Sequence, residues 1–159
     1  MLKLTSIVSR QAVVPQLKSG ERDAVISEMI DALLAAGAAP AEIRSDLLAR
    51  VLEREKRGST GFGKGVAVPH VKHKQVAKMS AAIGVSARGI EFNALDKQPV
   101  YSVVLLLSPE DRPEEHLQAM EVIFKNLSKD TFRRFLKQAS TVDHVMTLLE
   151  ESDGNLLAG

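Results

Sequence analysis

The chain contains no cysteine, which removes disulfides, thiolate metal sites and cysteine nucleophiles together. No redox role follows from its composition, and the lack agrees with a cytoplasmic location. Aromatic residues make up only 4%, so a core must be assembled from Leu, Val, Ile and Ala. Neither charge is in excess: 21 basic residues meet 20 acidic ones for a formal net charge of +1. No stretch interleaves Lys and Arg with aromatics as a nucleic-acid groove does, so nucleic acid is not an expected partner. Residues 1–20 carry charged or polar groups throughout in place of the apolar run of a signal peptide. No window approaches the roughly 18 apolar residues of a membrane span. The expectation is a soluble, cytoplasmic protein without membrane insertion.

What is present is ordinary globular composition, 45% apolar and 26% charged over 159 residues. That length suits one domain with a real core. We therefore expect a single domain over residues 1–159, its core at about 5–150 and a loose tail after Glu151.

Following an apolar piece at 13–17, Val25-Ile26, Met29-Ile30 and Leu33-Leu34 recur at helical spacing, with Glu21 and Asp23 in the first turn and Gly37 placed to end the helix. Pro40 suits the first turn of a second helix, striped by Ile43, Leu47 and Val51, whose charged end Glu53-Arg54-Glu55-Lys56-Arg57 should face water. Ala82, Gly84 and Ser86 alternate with Ile83, Val85 and Ala87 as in a half-covered strand, whereas 103–107 is a continuous apolar run that predicts a strand covered on both faces. Pro113 opens a helix with Leu117, Met120, Phe124 and Leu127 inward and His116 in its first turn. Phe132 with Phe135-Leu136, and Ser140-Thr141 ahead of Val142, Val145 and Leu148-Leu149, mark two more. This order of elements predicts a single α/β layer structure with helices on both sides of a sheet.

The densest signal lies between Arg54 and His70. Gly58, Gly63 and Lys64 match the G-x-x-x-x-G-K of a phosphate-binding P-loop, but Gly65 follows where Ser or Thr should hold magnesium, and the order runs helix, loop, strand. Nucleotide binding is therefore not expected. The same residues instead place one imidazole, His70, at the end of a short strand predicted from Val66 and Val68. Beside it lies a loop with four glycines in the eight positions 58–65, whose backbone N–H groups an anion can approach. Pro69 stiffens that approach and biases Val68 to an extended conformation. A neutral imidazole is a competent nucleophile toward phosphorus and can later act as leaving group. That is the chemistry of a phosphohistidine relay.

The run Ser59-Thr60-Gly61-x-Gly63-x-Gly65-Val66-Ala67-Val68-Pro69-His70, preceded by Arg54-Glu55, resembles the active-site signature of the type-2 enzyme IIA domains. These are the mannitol/fructose and nitrogen-regulatory class of the phosphoenolpyruvate-dependent phosphotransferase system. The resemblance extends from about Thr5 to Glu150 and includes His116-Leu117 in a helical start after an apolar strand. It implies a mixed sheet flanked by helices on both faces, phosphorylation of His70 on Nε2, and a small histidine phosphocarrier protein as donor. It makes His116 the second active-site histidine and Arg54 the basic residue near the phosphoryl group. Ser59, Thr60, Gly61, Gly63 and Gly65 are the candidate phosphoryl-binding positions. The acceptor would be a downstream transport component or a regulatory target protein, and no metal or other cofactor is required. Without a fused transport or transmembrane domain, the chain resembles the standalone regulatory members more than the sugar-transport ones. One departure stands out: Val71-Lys72-His73 follows the Pro-His pair where many members have glycine, which bears on partner choice.

Each assignment has a plainer rival. His70 can be a hydrogen-bonded structural histidine at a strand end, His116 can simply cover the core, Arg54 can be one member of a solvated helix end, and Ser59 and Thr60 can be turn formers. His73 and His144 read as surface residues. Two other functions remain open: a metal-dependent hydrolase using His70, His73 and His116, although no H-E-x-x-H or Asp-rich cluster accompanies them, and an interaction module that is not phosphorylated.

Overall fold

In the computed structural model of the chain, which describes residues 2–155, the elements follow in the order α1 (Leu4–Ile7), β1 (Val8–Val14), α2 (Arg22–Ala35), a 3-10 turn (Ala41–Ile43), α3 (Arg44–Arg57), β2 (Gly61–Gly63), β3 (Val66–Ala67), β4 (His70–His73), β5 (Ser80–Ile90), β6 (Val100–Pro109), α4 (Pro113–Leu127), α5 (Asp130–Gln138) and α6 (Val142–Asp153). Among the described residues the strands form one six-stranded mixed sheet. β6 pairs antiparallel with β5, and β5 pairs parallel with β1. On its other edge β6 carries β3 and then β4, both parallel to it, and β2 closes a hairpin on β3.

Side chains alternate across this sheet as the period of two requires. Val104 and Leu106 of β6, with Ala81, Ile83 and Val85 of β5, face a layer made by α1, α4, α5 and α6. Val103, Leu105 and Leu107, with Ala82, face α2 and α3. The fold is therefore α/β in a single domain, with a mixed sheet flanked by helices on both faces. Burial of each large apolar side chain in these two layers contributes roughly 1.5–3 kcal/mol.

Local chemistry explains the boundaries. α2 ends in a Schellman turn, with Ala38 N–H bonded to Leu33 O and Gly37 N–H to Leu34 O, both at 3.0 Å, and Gly37 supplies the left-handed φ of 79°. The hydroxyl of Thr141 caps α6 by accepting from His144 N–H at 3.1 Å. β2 and β3 meet through Lys64 and Gly65, both at positive φ (61° and 78°), the backbone of a type I′ hairpin turn.

Several expectations need correction. β5 is buried on both faces from Ser80 to Ser86; its small residues look half-covered in sequence because they leave room for neighbours, as where the Leu17 side chain packs onto Gly84. The first strand lies at Val8–Val14, ahead of the apolar piece at 13–17, and Pro15 follows its end. α6 continues through Asp153, whose carboxylate accepts from Leu4 N–H at 2.8 Å, so residues 151–153 are helical rather than loose. The rest of the expected tail, 156–159, lies outside the described residues.

Leu127 is buried as expected, but over the preceding turns the buried stripe of α4 is displaced by one residue, about 100° of helix rotation, from the expected one. His116, Ala119, Ile123 and Leu127 face inward, while Leu117 is 61% and Phe124 39% exposed. Ala119, Ile123 and Leu127 pack into the layer of α1, α5 and α6 over the sheet, and Leu117 and Phe124 are left at the rim.

Candidate functional site

His70 starts β4 instead of ending a strand, as the sequence had suggested. Pro69 lacks an N–H, which interrupts the ladder between β3 and β4. Its carbonyl still accepts from Leu106 N–H at 3.0 Å, so the chain stays beside β6 and pairing resumes at His70 opposite Leu106. The interruption turns the Val68 carbonyl toward the ring that follows. His70 Nδ1 lies 2.9 Å from Val68 O, and because a carbonyl only accepts, Nδ1 carries the proton. The Nε2 lone pair is thereby left free, on a side chain that is only half-buried.

The second ring beside it is His116. The ring centroids of His70 and His116 are 5.7 Å apart with an interplanar angle of 56°. His116 sits on the inward face of α4, and its Nδ1 is 2.7 Å from Ser108 Oγ on β6. Ser108 Oγ also lies 2.9 Å from Met79 Sδ. A serine has one proton to give, and an imidazole nitrogen is a far better acceptor than a thioether. Ser108 therefore donates to Nδ1, which puts the His116 proton on Nε2. Burial, with the neighbouring charges of Lys72 and His70, pushes the His116 pKa down to about 4. The ring is neutral at pH 7 and can offer a hydrogen bond but no charge.

The remaining candidates divide into two groups. Thr60 and Gly61 lie beside the approach to His70, since Val68 N–H donates to Thr60 O at 3.2 Å and Gly61 pairs with Ala67. Gly63 and Gly65 instead form the far end of the hairpin, where Gly65 O accepts from Tyr101 N–H at 2.8 Å. Gly65 and His70 are five positions apart along extended chain, roughly 15 Å. The Ser59 hydroxyl accepts from Gly61 N–H at 3.0 Å and the Thr60 hydroxyl donates to Glu55, so both shape the loop. Arg54 Nη1 donates to Gly58 O at 2.8 Å, tying α3 to that loop.

His73, expected at the surface, is buried. Strand alternation turns it away from His70, toward α3. Its Nδ1 accepts from Gln75 N–H at 3.0 Å, so Nε2–H donates to Asp46 Oδ2 at 2.7 Å. Arg50 Nε joins the same carboxylate at 3.1 Å, and its Nη1 donates to Lys72 O at 3.0 Å. His144 is exposed on α6. Among the described residues no three His, Asp or Glu side chains are arranged to hold a metal ion.

Sequence reasoning missed Ser108, Met79 and the burial of Glu55. Ser108 stood at the polar end of an apolar strand, a signal that was available. Glu55 was hidden inside a charged run. Phe124, expected inward, is 39% exposed and its ring meets Phe62 at 5.0 Å between centroids.

A half-buried histidine with a free Nε2, set at a proline break beside a second, neutral histidine on one face of a mixed sheet between two helical layers, is the arrangement to compare with known proteins. Residues 6–152 match the family described as "Phosphoenolpyruvate-dependent sugar phosphotransferase system, EIIA 2", and the chain belongs to that family. It is 31% identical over 150 residues to a nitrogen regulatory protein of Bradyrhizobium diazoefficiens, covering 93% of this chain and 95% of that one. It is 29% identical over 152 residues to the fructose-specific EIIABC component of Bacillus subtilis, covering 96% of this chain but only 24% of that protein. Among solved structures, nitrogen regulatory protein IIA-Ntr from Neisseria meningitidis superposes with a TM-score of 0.82 at 28% identity, covering 91% of this chain and 97% of that one. No helix among the described residues is long and apolar enough to cross a membrane.

Proposed function

We propose that the chain is a phosphohistidine relay protein, accepting a phosphoryl group from a histidine phosphocarrier protein on Nε2 of His70 and passing it on or using it as a regulatory signal. The observation that carries this reading is the 2.9 Å contact from His70 Nδ1 to Val68 O, which fixes the tautomer and leaves Nε2 as the nucleophile. The lone pair of Nε2 forms the new P–N bond while the donor's P–N bond breaks and its electron pair returns to the donor imidazole. No proton has to leave His70, because Nδ1–H stays on the carbonyl. Catalysis is then mostly positioning, with hydrogen bonds to the equatorial oxygens from His116 Nε2–H and nearby backbone N–H groups. Arg54, held at the Gly58 carbonyl, lends positive charge on the loop side.

Leu117 and Phe124, exposed on the helix that carries His116, suit a protein as donor, since exposed apolar side chains mark a docking surface. The output we favour is regulatory, of the nitrogen type, in a cytoplasmic setting. The likeness to the N. meningitidis IIA-Ntr structure, at TM-score 0.82, supports that branch. A metal-dependent hydrolase is disfavoured because His73 is committed to Asp46, away from His70 and His116. Transfer of labelled phosphate from phosphoenolpyruvate through the two general upstream proteins tests the proposal. One acid-labile, base-stable phosphoryl group per chain is expected, and label that survives His70→Ala overturns it.

A further inference from the structure

The face of β4 that carries His70 also carries Lys72, because side chains two apart on a strand point the same way. The register sets Lys72 opposite Ser108 and His70 opposite Leu106. Ser108 is the residue whose hydroxyl meets His116 Nδ1 at 2.7 Å. Lys72 thus flanks the two imidazoles on the side away from the glycine loop. It is exposed, and it forms no ion pair with any described residue. Of the acidic residues that follow β6 and open α4, Glu115 is drawn to Arg112 at 3.5 Å, leaving Glu110, Asp111 and Glu114 exposed at the rim. The Lys72 charge is one of the influences, after burial, that hold the basicity of His116 down.

The site has a need that this residue fills. A phosphoryl group carries negative charge in transit and at rest, yet His116 is neutral at pH 7 and Arg54, anchored at the Gly58 carbonyl, supplies charge from the loop side only. A hydrogen bond alone stabilises such charge less than a cation does. We propose that Lys72 contacts the phosphoryl group: its ammonium pairs with the oxygens of the group passing onto, and then resting on, His70 Nε2. The inference rests on the relay reading above. The flexible stem of lysine suits it to follow those oxygens as the P–N bond to the donor breaks and the bond to Nε2 forms.

The test uses phosphoramidate, a small donor that loses ammonia as its P–N bond breaks, so that no protein interface enters the rate. Labelling of the full chain and persistence of the label are followed by phosphorus NMR in the parent, Lys72→Ala, Lys72→Arg and Lys125→Ala. Lys125 lies toward the other end of α4 and controls for a general loss of charge. Lys72→Ala should label roughly tenfold more slowly, Lys72→Arg close to the parent, and Lys125→Ala like the parent. Proton NMR of the unphosphorylated protein supplies a readout that a merely structural role would not move: removing a nearby cation favours protonation, so His116 should titrate at higher pH in Lys72→Ala. Parental labelling in Lys72→Ala, or equal slowing in Lys125→Ala, overturns the role of Lys72 while the relay stands. A parent that takes no label, or label that remains in His70→Ala, overturns the relay reading and this inference with it.

Discussion

Glu55, inside the most charged run of the chain, is 3% exposed, and its carboxylate accepts both the N–H and the hydroxyl of Thr60, at 3.2 and 2.5 Å. This pair joins the last turn of α3 to the first residue of the glycine hairpin. The carboxylate is stable in that position because it replaces its lost water with two donors. The orientation of Thr60 in turn determines where its carbonyl meets Val68 N–H, two residues ahead of His70.

Breaking this pair should cost stability. Glu55→Ala leaves the Thr60 donors without partners, and Thr60→Val leaves a buried carboxylate short of one; each should lower the unfolding free energy by about 2–4 kcal/mol. Because both variants damage one interaction, the double variant should cost clearly less than the sum. Urea unfolding of the four proteins measures the coupling, and strict additivity would show that the two side chains act independently.

The hairpin turn offers a gain. Lys64 at φ 61° occupies a position that asparagine adopts more readily, so Lys64→Asn should raise stability by a few tenths to about 1 kcal/mol. Gly65→Ala should lower it by about 1 kcal/mol or more, since a Cβ at φ 78° would also stand 3.3 Å from the Tyr101 ring. Thermal melting distinguishes the two signs.

The pH response of His116 follows from its burial. Its pKa is about 4 in the folded chain against 6.5 in the unfolded one. Between those values the unfolded state binds more protons, so this group's contribution is complete above about pH 6.5 and is lost as the pH falls toward 4. The total is about 3 kcal/mol. Other groups titrate in the same range, so the measurement is a comparison: parent and His116→Gln should converge in stability as the pH is lowered from 7 to 4.5. A gap that stays constant would mean that His116 titrates normally.

The helices, the central apolar strand and the proline-histidine junction were legible because each has a local signature: period 3.6, a continuous apolar run, a fixed φ. The details that set the chemistry were not. That His70 begins a strand depends on Leu106 N–H reaching the Pro69 carbonyl, a contact across 37 positions of sequence. The rotation of α4 depends on how Ala119, Ile123 and Leu127 pack against side chains of distant elements, such as Leu106 and Val145. The burial of His73 depends on Asp46, a residue 27 positions earlier, which nothing in the local pattern marks as its partner. Periodicity reports which residues can share a face, and only packing decides which face is covered.

His73 provides a test between functions. If it serves structure alone, through Asp46 and Gln75 N–H, then His73→Ala should lose about 1–3 kcal/mol of stability. It should still take up phosphate at a similar rate below its melting temperature. Hydrolytic activity that added zinc confers on the parent but not on a folded His73→Ala would favour the hydrolase reading instead.

The last prediction separates the two histidines of the proposed site by what each nitrogen is free to do. His70 Nδ1 is held by Val68 O, so Nε2 alone is available to attack; His116 Nδ1 is held by Ser108, so its Nε2 carries a proton and can only donate. Removing the nucleophile removes the pathway, and His70→Ala should take no label. Removing a supporting donor raises the barrier by about 1–4 kcal/mol, a fall of roughly ten- to a thousand-fold in rate. His116→Ala should therefore be slow yet labelled. His116→Gln keeps an N–H donor and should recover part of the loss. Ser108→Ala tests the same chain one step back: without its hydroxyl, His116 is free to place its proton on either nitrogen, and the rate should fall by less than in His116→Ala. Single-turnover transfer from the phosphorylated carrier, with folding checked by melting, orders the four variants. If His116→Ala is dead and His70→Ala is labelled, the roles are reversed; if His116→Ala matches the parent, that ring only covers the core.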